Sequence, residues 1–105
     1  MTPPKYKLEI LPLFEDDLRE ILDYITEQLH NPAAAMDLLD DIEEAITERM
    51  SCPKAFLAYP TTKKRKAPYY CIHVKNFMVF YVVIGNVMEV RRILYARRNI
   101  TDLIG

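Results

Sequence analysis

Residues 69–95 read YYCIHVKNFMVFYVVIGNVMEVRRILY, and this stretch decides the fold. Its middle, Phe77 to Ile84, is a nearly continuous apolar run of eight residues. Such a run suits a strand buried on both faces. Gly85-Asn86 follows as a two-residue hairpin loop with glycine first, as a type II′ turn requires. Val87 to Tyr95 returns as a last strand. Upstream, Tyr69 to Lys75 supplies another strand. The stretch therefore predicts a three-stranded antiparallel meander. Arg91 and Arg92 are adjacent, so in a regular strand they face opposite ways.

Working outward toward the N-terminus, residues 53–68 form a sixteen-residue connector with three prolines and the run Lys63-Lys64-Arg65-Lys66. A structureless loop of that length in a compact domain is usually functional or disordered. Before it, Ala35, Leu38, Leu39, Ile42, Ala45 and Ile46 recur at helical spacing. Asn31 is placed to cap this helix, Pro32 to occupy its first position, and Pro53 to end it. An earlier helix, from about Leu13 to Leu29, carries the stripe Phe14, Leu18, Ile21, Leu22, Ile25 and Leu29. The short break at residues 30–32 makes the two helices an antiparallel hairpin. Lys5 to Leu11 alternates as a half-exposed strand that Pro12 stops. The fold class is α+β: an N-terminal strand, then a helical hairpin packed on a sheet that the meander completes. One domain spanning residues 1–105 accommodates all of it.

Charge divides more sharply than the net value of −1 suggests. Residues 12–50 hold twelve acids and two bases, whereas residues 53–98 hold ten bases and one acid. One surface should repel nucleic acid, and the other should attract it or an acidic protein. The longest apolar stretch is far too short to cross a bilayer, and nothing resembles a signal peptide. The expected location is the cytoplasm, without membrane contact. Cys52 and Cys71 show no metal-ligand spacing and are too few for a disulfide scaffold. They read as two free, largely buried thiols. His73 shares a strand face with Cys71, but a bare Cys/His pair is a weak sign of nucleophilic catalysis. No metal or other cofactor is expected.

The element order, at this length, resembles the RelE/ParE superfamily of toxins from type II toxin–antitoxin systems. The local marks are Leu18 with Tyr24-Ile25, then Asn31-Pro32-Ala33-Ala34-Ala35. They continue with Val74-Lys75-Asn76-Phe77 leading into Val79-Phe80-Tyr81, and end with Arg92-Ile93-Leu94-Tyr95-Ala96-Arg97-Arg98-Asn99. The resemblance covers nearly the whole chain. It implies a growth-inhibiting toxin neutralised by a cognate antitoxin. RelE-like members enter the ribosomal A site and cleave mRNA without metal. ParE-like members poison DNA gyrase and cleave nothing.

Metal-free RNA cleavage needs a base for the 2′-hydroxyl, an acid for the leaving oxygen, and cations for the phosphate. By resemblance, those roles fall on His73, Tyr95 and Arg98. The family's central-strand arginine falls at Met78, which cannot stabilise an anion. The long helical hairpin also resembles ParE-like members more than the compact RelE-like ones. Gyrase inhibition is therefore favoured. An mRNA endoribonuclease and a degenerate, non-toxic antitoxin-binding module are the alternatives. Lys63, Lys64, Arg65, Lys66, Lys75 and Arg97 are the candidates for contact with target or nucleic acid. Arg91, Arg92, Arg97 and Arg98 are the candidates for holding an acidic antitoxin segment. Each also has an ordinary reading as a solvated or ion-paired surface residue.

Overall fold

In the computed structural model, residues 6–60 and 67–96 are described. The chain runs through β1 (Lys7–Ile10), α1 (Pro12–Asp23), a π-helical segment (Tyr24–Gln28), α2 (Pro32–Arg49), β2 (Tyr70–Val74), β3 (Phe77–Ile84) and β4 (Val87–Tyr95). The strands form one sheet in the order β1-β4-β3-β2. β2, β3 and β4 are the antiparallel meander, and β1 lies parallel to β4 with Lys7 opposite Val87. β3, the most apolar run, is indeed an inner strand.

The Gly85-Asn86 loop has the backbone that the sequence predicts, whereas Lys75, expected to end a strand, stands in the β2–β3 loop. Gly85 has φ +61°, and Asn86 is not among the positive-φ residues. Lys75 occupies the equivalent place in the β2–β3 loop at φ +52°, without glycine's freedom. The Asn31 side chain accepts the Ala34 N–H at 3.1 Å, the expected N-cap.

The helices cover one face of the sheet. Phe14, Leu38, Ile42 and Ile46 pack with Tyr70, Ile72, Val74, Val79, Tyr81, Met88, Val90 and Ile93. The stripe of the first helix does not stay on this face to its end. The Leu29 N–H bonds to the Tyr24 carbonyl at 3.2 Å, five residues back rather than four. That wider turn breaks the 3.6-residue period, and Leu29 rotates out to 56% exposure instead of joining the core.

The opposite face is not bare. Met78, Phe80, Val82 and Leu94 form a second buried cluster with Tyr69, and Tyr59, Ala67 and Cys71 pack against it. The rings of Tyr59 and Tyr69 meet Phe80 edge-on at 5.1 and 6.3 Å. The Tyr59 N–H bonds to the Tyr69 carbonyl at 2.6 Å. The two ends of the connector are thus pinned across this face.

Candidate functional site

The arginines of β4 are set by a bulge. Phe80 pairs with Arg92 and Tyr81 with Val90, which leaves Arg91 as an extra residue. Val90 and Ile93 both face the helices, although three positions separate them. The bulge thus falls at the two adjacent arginines and interrupts the regular pairing of β4 there.

Their partners differ. Arg91 donates from Nε to Glu89 at 2.6 Å and lies 5.8 Å from the Tyr69 ring. Burial opposes its charge, but bonding with Tyr69 and Glu89 wins and holds its pKa above the usual value. Arg92 reaches α1, where β1 has ended and the edge of β4 is uncovered. It grips Asp17 with two bonds, Nε–Oδ2 at 2.7 Å and Nη2–Oδ1 at 2.9 Å. The same carboxylate accepts the Ile93 N–H at 3.2 Å. The hydrogen bond to Asp17 is the main cause of the raised Arg92 pKa. Arg92 thus locks helix to sheet.

Of the candidate ribonuclease residues, the described pair His73 and Tyr95 is not brought together. His73 pairs with Met78, on the face away from the helices. Tyr95 pairs with Phe77, and their rings lie 5.6 Å apart. Phe77 packs against the helix-side core, so Tyr95 lies on the opposite face from His73. Lys75 is held by Asp41 of α2 at 3.2 Å. Every described base of the meander is therefore ion-paired: Lys75, Arg91 and Arg92. Lys63, Lys64, Arg65, Lys66, Arg97 and Arg98 lie outside the described residues.

Two features escape a reading of the sequence. One is a polar knot under the connector. Arg49, at the end of α2, donates to the Tyr81 hydroxyl at 2.9 Å and to the Cys71 carbonyl at 3.3 Å. Tyr81 in turn donates to the Pro53 carbonyl at 2.7 Å. The Arg49 guanidinium lies 3.6 Å from the Phe56 ring centre. Burial raises the Tyr81 pKa against the opposing pull of Arg49. Burial likewise pushes the Cys71 thiol up to about 11, which makes it a poor nucleophile at neutral pH. Both cysteines are free; Cys52 is exposed and Cys71 half-buried, so the expectation of two largely buried thiols fails for Cys52. Arg49, one of only two bases among the twelve acids of residues 12–50, was the available signal for the knot.

The other feature is a groove of about 810 Å³ between the end of the first helix and the β2–β3 hairpin. Ile21, Tyr24, Ile25, Leu29, Phe77 and Tyr95 supply its apolar wall, and Glu20 and Asn76 its polar rim. Its position depends on the π-helical turn, which no spacing in the sequence marks.

Among the described residues, no group of three or more His, Cys, Asp or Glu could hold a metal ion. No described helix is long and apolar enough to cross a membrane. No curated protein matches the chain. A solved chain of the chromosomal ParDE TA system from P. aeruginosa is 18% identical, with a TM-score of 0.72. That match covers 90% of this chain and 100% of the other. At that identity the likeness speaks for the fold: a strand, two helices and a meander in one mixed sheet. The family model described as ParE toxin of type II toxin-antitoxin system, parDE, matches residues 8–100, nearly the full length, and the chain therefore belongs to the ParE toxin family.

Proposed function

We propose that this toxin acts by binding DNA gyrase in the cytoplasm, without an active site of its own, and that a cognate ParD-type antitoxin neutralises it. The observation that carries the proposal is the separation of His73 and Tyr95 onto opposite faces of the sheet. A general acid and a general base must both reach one phosphodiester, and two faces of a sheet cannot offer that. The ion pairs of Lys75, Arg91 and Arg92 support the same reading, because a paired cation is less available to a phosphate. Met78 is buried in the second cluster, and its thioether cannot stabilise an anion.

For the antitoxin, an acidic segment that orders on binding fits Arg91 and the bases Arg97 and Arg98. Arg92, already engaged by Asp17, acts mainly as scaffold. The test uses purified gyrase with relaxed plasmid. Adding the toxin should reduce supercoiling and leave cleaved DNA, and premixing with antitoxin should restore supercoiling. Undisturbed gyrase, together with cutting of ribosome-bound mRNA, would overturn the proposal.

A further inference from the structure

The connector carries an apolar knob on a restrained stem. Leu57 is 95% exposed, the most of the large apolar side chains among the described residues, and Phe56 beside it is 47% exposed. A single exposed leucine on a loose loop needs no explanation. Here the backbone around it is tied at three points. The Tyr81 hydroxyl donates to the Pro53 carbonyl at 2.7 Å, the Phe56 ring centre lies 3.6 Å from the Arg49 guanidinium, and the Tyr59 N–H is fixed to the Tyr69 carbonyl at 2.6 Å. Leu57 is thus presented outward in advance, and binding through it leaves little ordering still to be done.

The groove beside Tyr95 is the matching concave feature. Its wall gathers the exposed side chains of Tyr24, Leu29 and Tyr95 in one place. Knob and groove stand at opposite ends of β2. Arg49, beneath Phe56, bonds the Cys71 carbonyl near the start of the strand, whereas Asn76 and Phe77 line the groove past its end. Roughly 17 Å of chain separates Cys71 from Asn76, so the knob does not fill the groove of its own copy.

Charge agrees with shape. Lys54 is exposed beside the knob and has no ion-pair partner among the described residues. Glu20 stands on the groove rim, and Asp23 and Glu27 are exposed on the same helical stretch. Lys75, next to the rim in sequence, is already held by Asp41. One chain therefore offers a base-flanked apolar knob and an acid-rimmed apolar groove.

We propose that the toxin, when free of other partners, associates with a second copy of itself. Phe56 and Leu57 of one copy enter the groove of the other between Tyr24, Leu29 and Tyr95, and Lys54 faces Glu20. The contact joins unlike surfaces, so a pair closes only if both knobs meet both grooves, and otherwise the contact propagates from copy to copy. The surface is small, so the association is weak and rises with concentration. Any partner that uses the knob or the groove competes with it. The inference stands whichever macromolecule the toxin attacks.

The test is sedimentation velocity on the full chain, made free of antitoxin, from ~1 to ~200 μM. Species larger than the monomer should appear toward the upper end and diminish as salt rises from ~0.05 to ~0.5 M. Leu57→Asp and Leu29→Lys alter exposed positions, one in the knob and one in the groove. Each alone should weaken association at least ~10-fold, with its thermal unfolding midpoint unchanged. Mixed in equal amounts they should regain a two-chain species, because one variant keeps its groove and the other its knob. A monomer at every concentration, whatever fills its groove, would overturn the proposal. So would association that survives Leu57→Asp, or a mixture of the two variants that stays monomeric.

Discussion

Asp17 holds more of this structure than its place in a run of three acids suggests. Its carboxylate meets the Arg92 guanidinium twice and the Ile93 N–H once, with side-chain exposures of 19% for Arg92 and 12% for Asp17. Charged hydrogen bonds of this kind are worth more than exposed ion pairs. Asp17→Asn should lower stability by about 2 kcal/mol, read from urea unfolding midpoints. The change should be smaller when Arg92→Met is already present, because the two side chains act as one unit. A loss no larger than that of Asp16→Asn would remove Asp17 from its structural role. The sequence displayed the acid and the arginine but not their meeting. They lie 75 positions apart, and a bulge decides the direction of Arg92.

Cys71 gives the residue scale a pH dependence. Burial disfavours the thiolate and pushes its folded pKa up from the ordinary thiol value to about 11. Folding therefore favours the protonated thiol. The contribution is intact below pH 9 and is lost as pH rises toward 11. Tyr81, raised in the same direction by burial, adds to the loss at higher pH. Stability measured from pH 8 to 11 should fall, and Cys71→Ala should flatten the first part of the fall. At pH 8 a thiol reagent should label exposed Cys52 well before Cys71. Equal labelling rates would contradict the half-buried placement of Cys71.

At the scale of elements, three places among the described residues hold φ between +52° and +61°: His30, Lys75 and Gly85. Only Gly85 suits that conformation without strain. A Cβ at Gly85 would meet nothing within 4 Å, so a substitution there tests the backbone alone. Gly85→Val should cost about 1–2 kcal/mol, whereas His30→Gly should gain about 0.5–1 kcal/mol, both by thermal or urea unfolding. The opposite signs would mean that neither turn is formed as described.

The elements were largely legible because each carries a local mark. Asn31-Pro32 opens α2, Gly85-Asn86 closes the last hairpin, and the apolar run of β3 needs cover on both sides. Two features were not legible. The π-helical turn at Tyr24–Gln28 changes the hydrogen-bond ring without changing composition, so Leu29 looked like core. The bulge at Arg91 depends on the pairing of two strands, and neither strand alone encodes it.

Over the whole molecule, the acid-rich helices and base-rich C-terminal half were visible as a pattern along the chain. That pattern does not say which of the bases are already paired. Lys75, Arg91 and Arg92 are drawn into pairs with Asp41, Glu89 and Asp17, while Tyr59 and Ala67 of the connector pack on the second face. The candidate site was legible as residue types. Which face each type occupies follows from register, and register separates His73 from Tyr95. His73→Ala should therefore leave gyrase inhibition within about twofold of the unsubstituted chain, a change of under 0.5 kcal/mol in binding.

The most direct test of a non-catalytic gyrase poison is induction of the chain without antitoxin in growing bacteria, with DNA breaks and mRNA integrity followed in the same culture. Growth arrest with accumulating DNA breaks and intact messages is the predicted result. Messages cut within codons on ribosomes while DNA stays whole, or undisturbed growth at verified soluble expression, would contradict it.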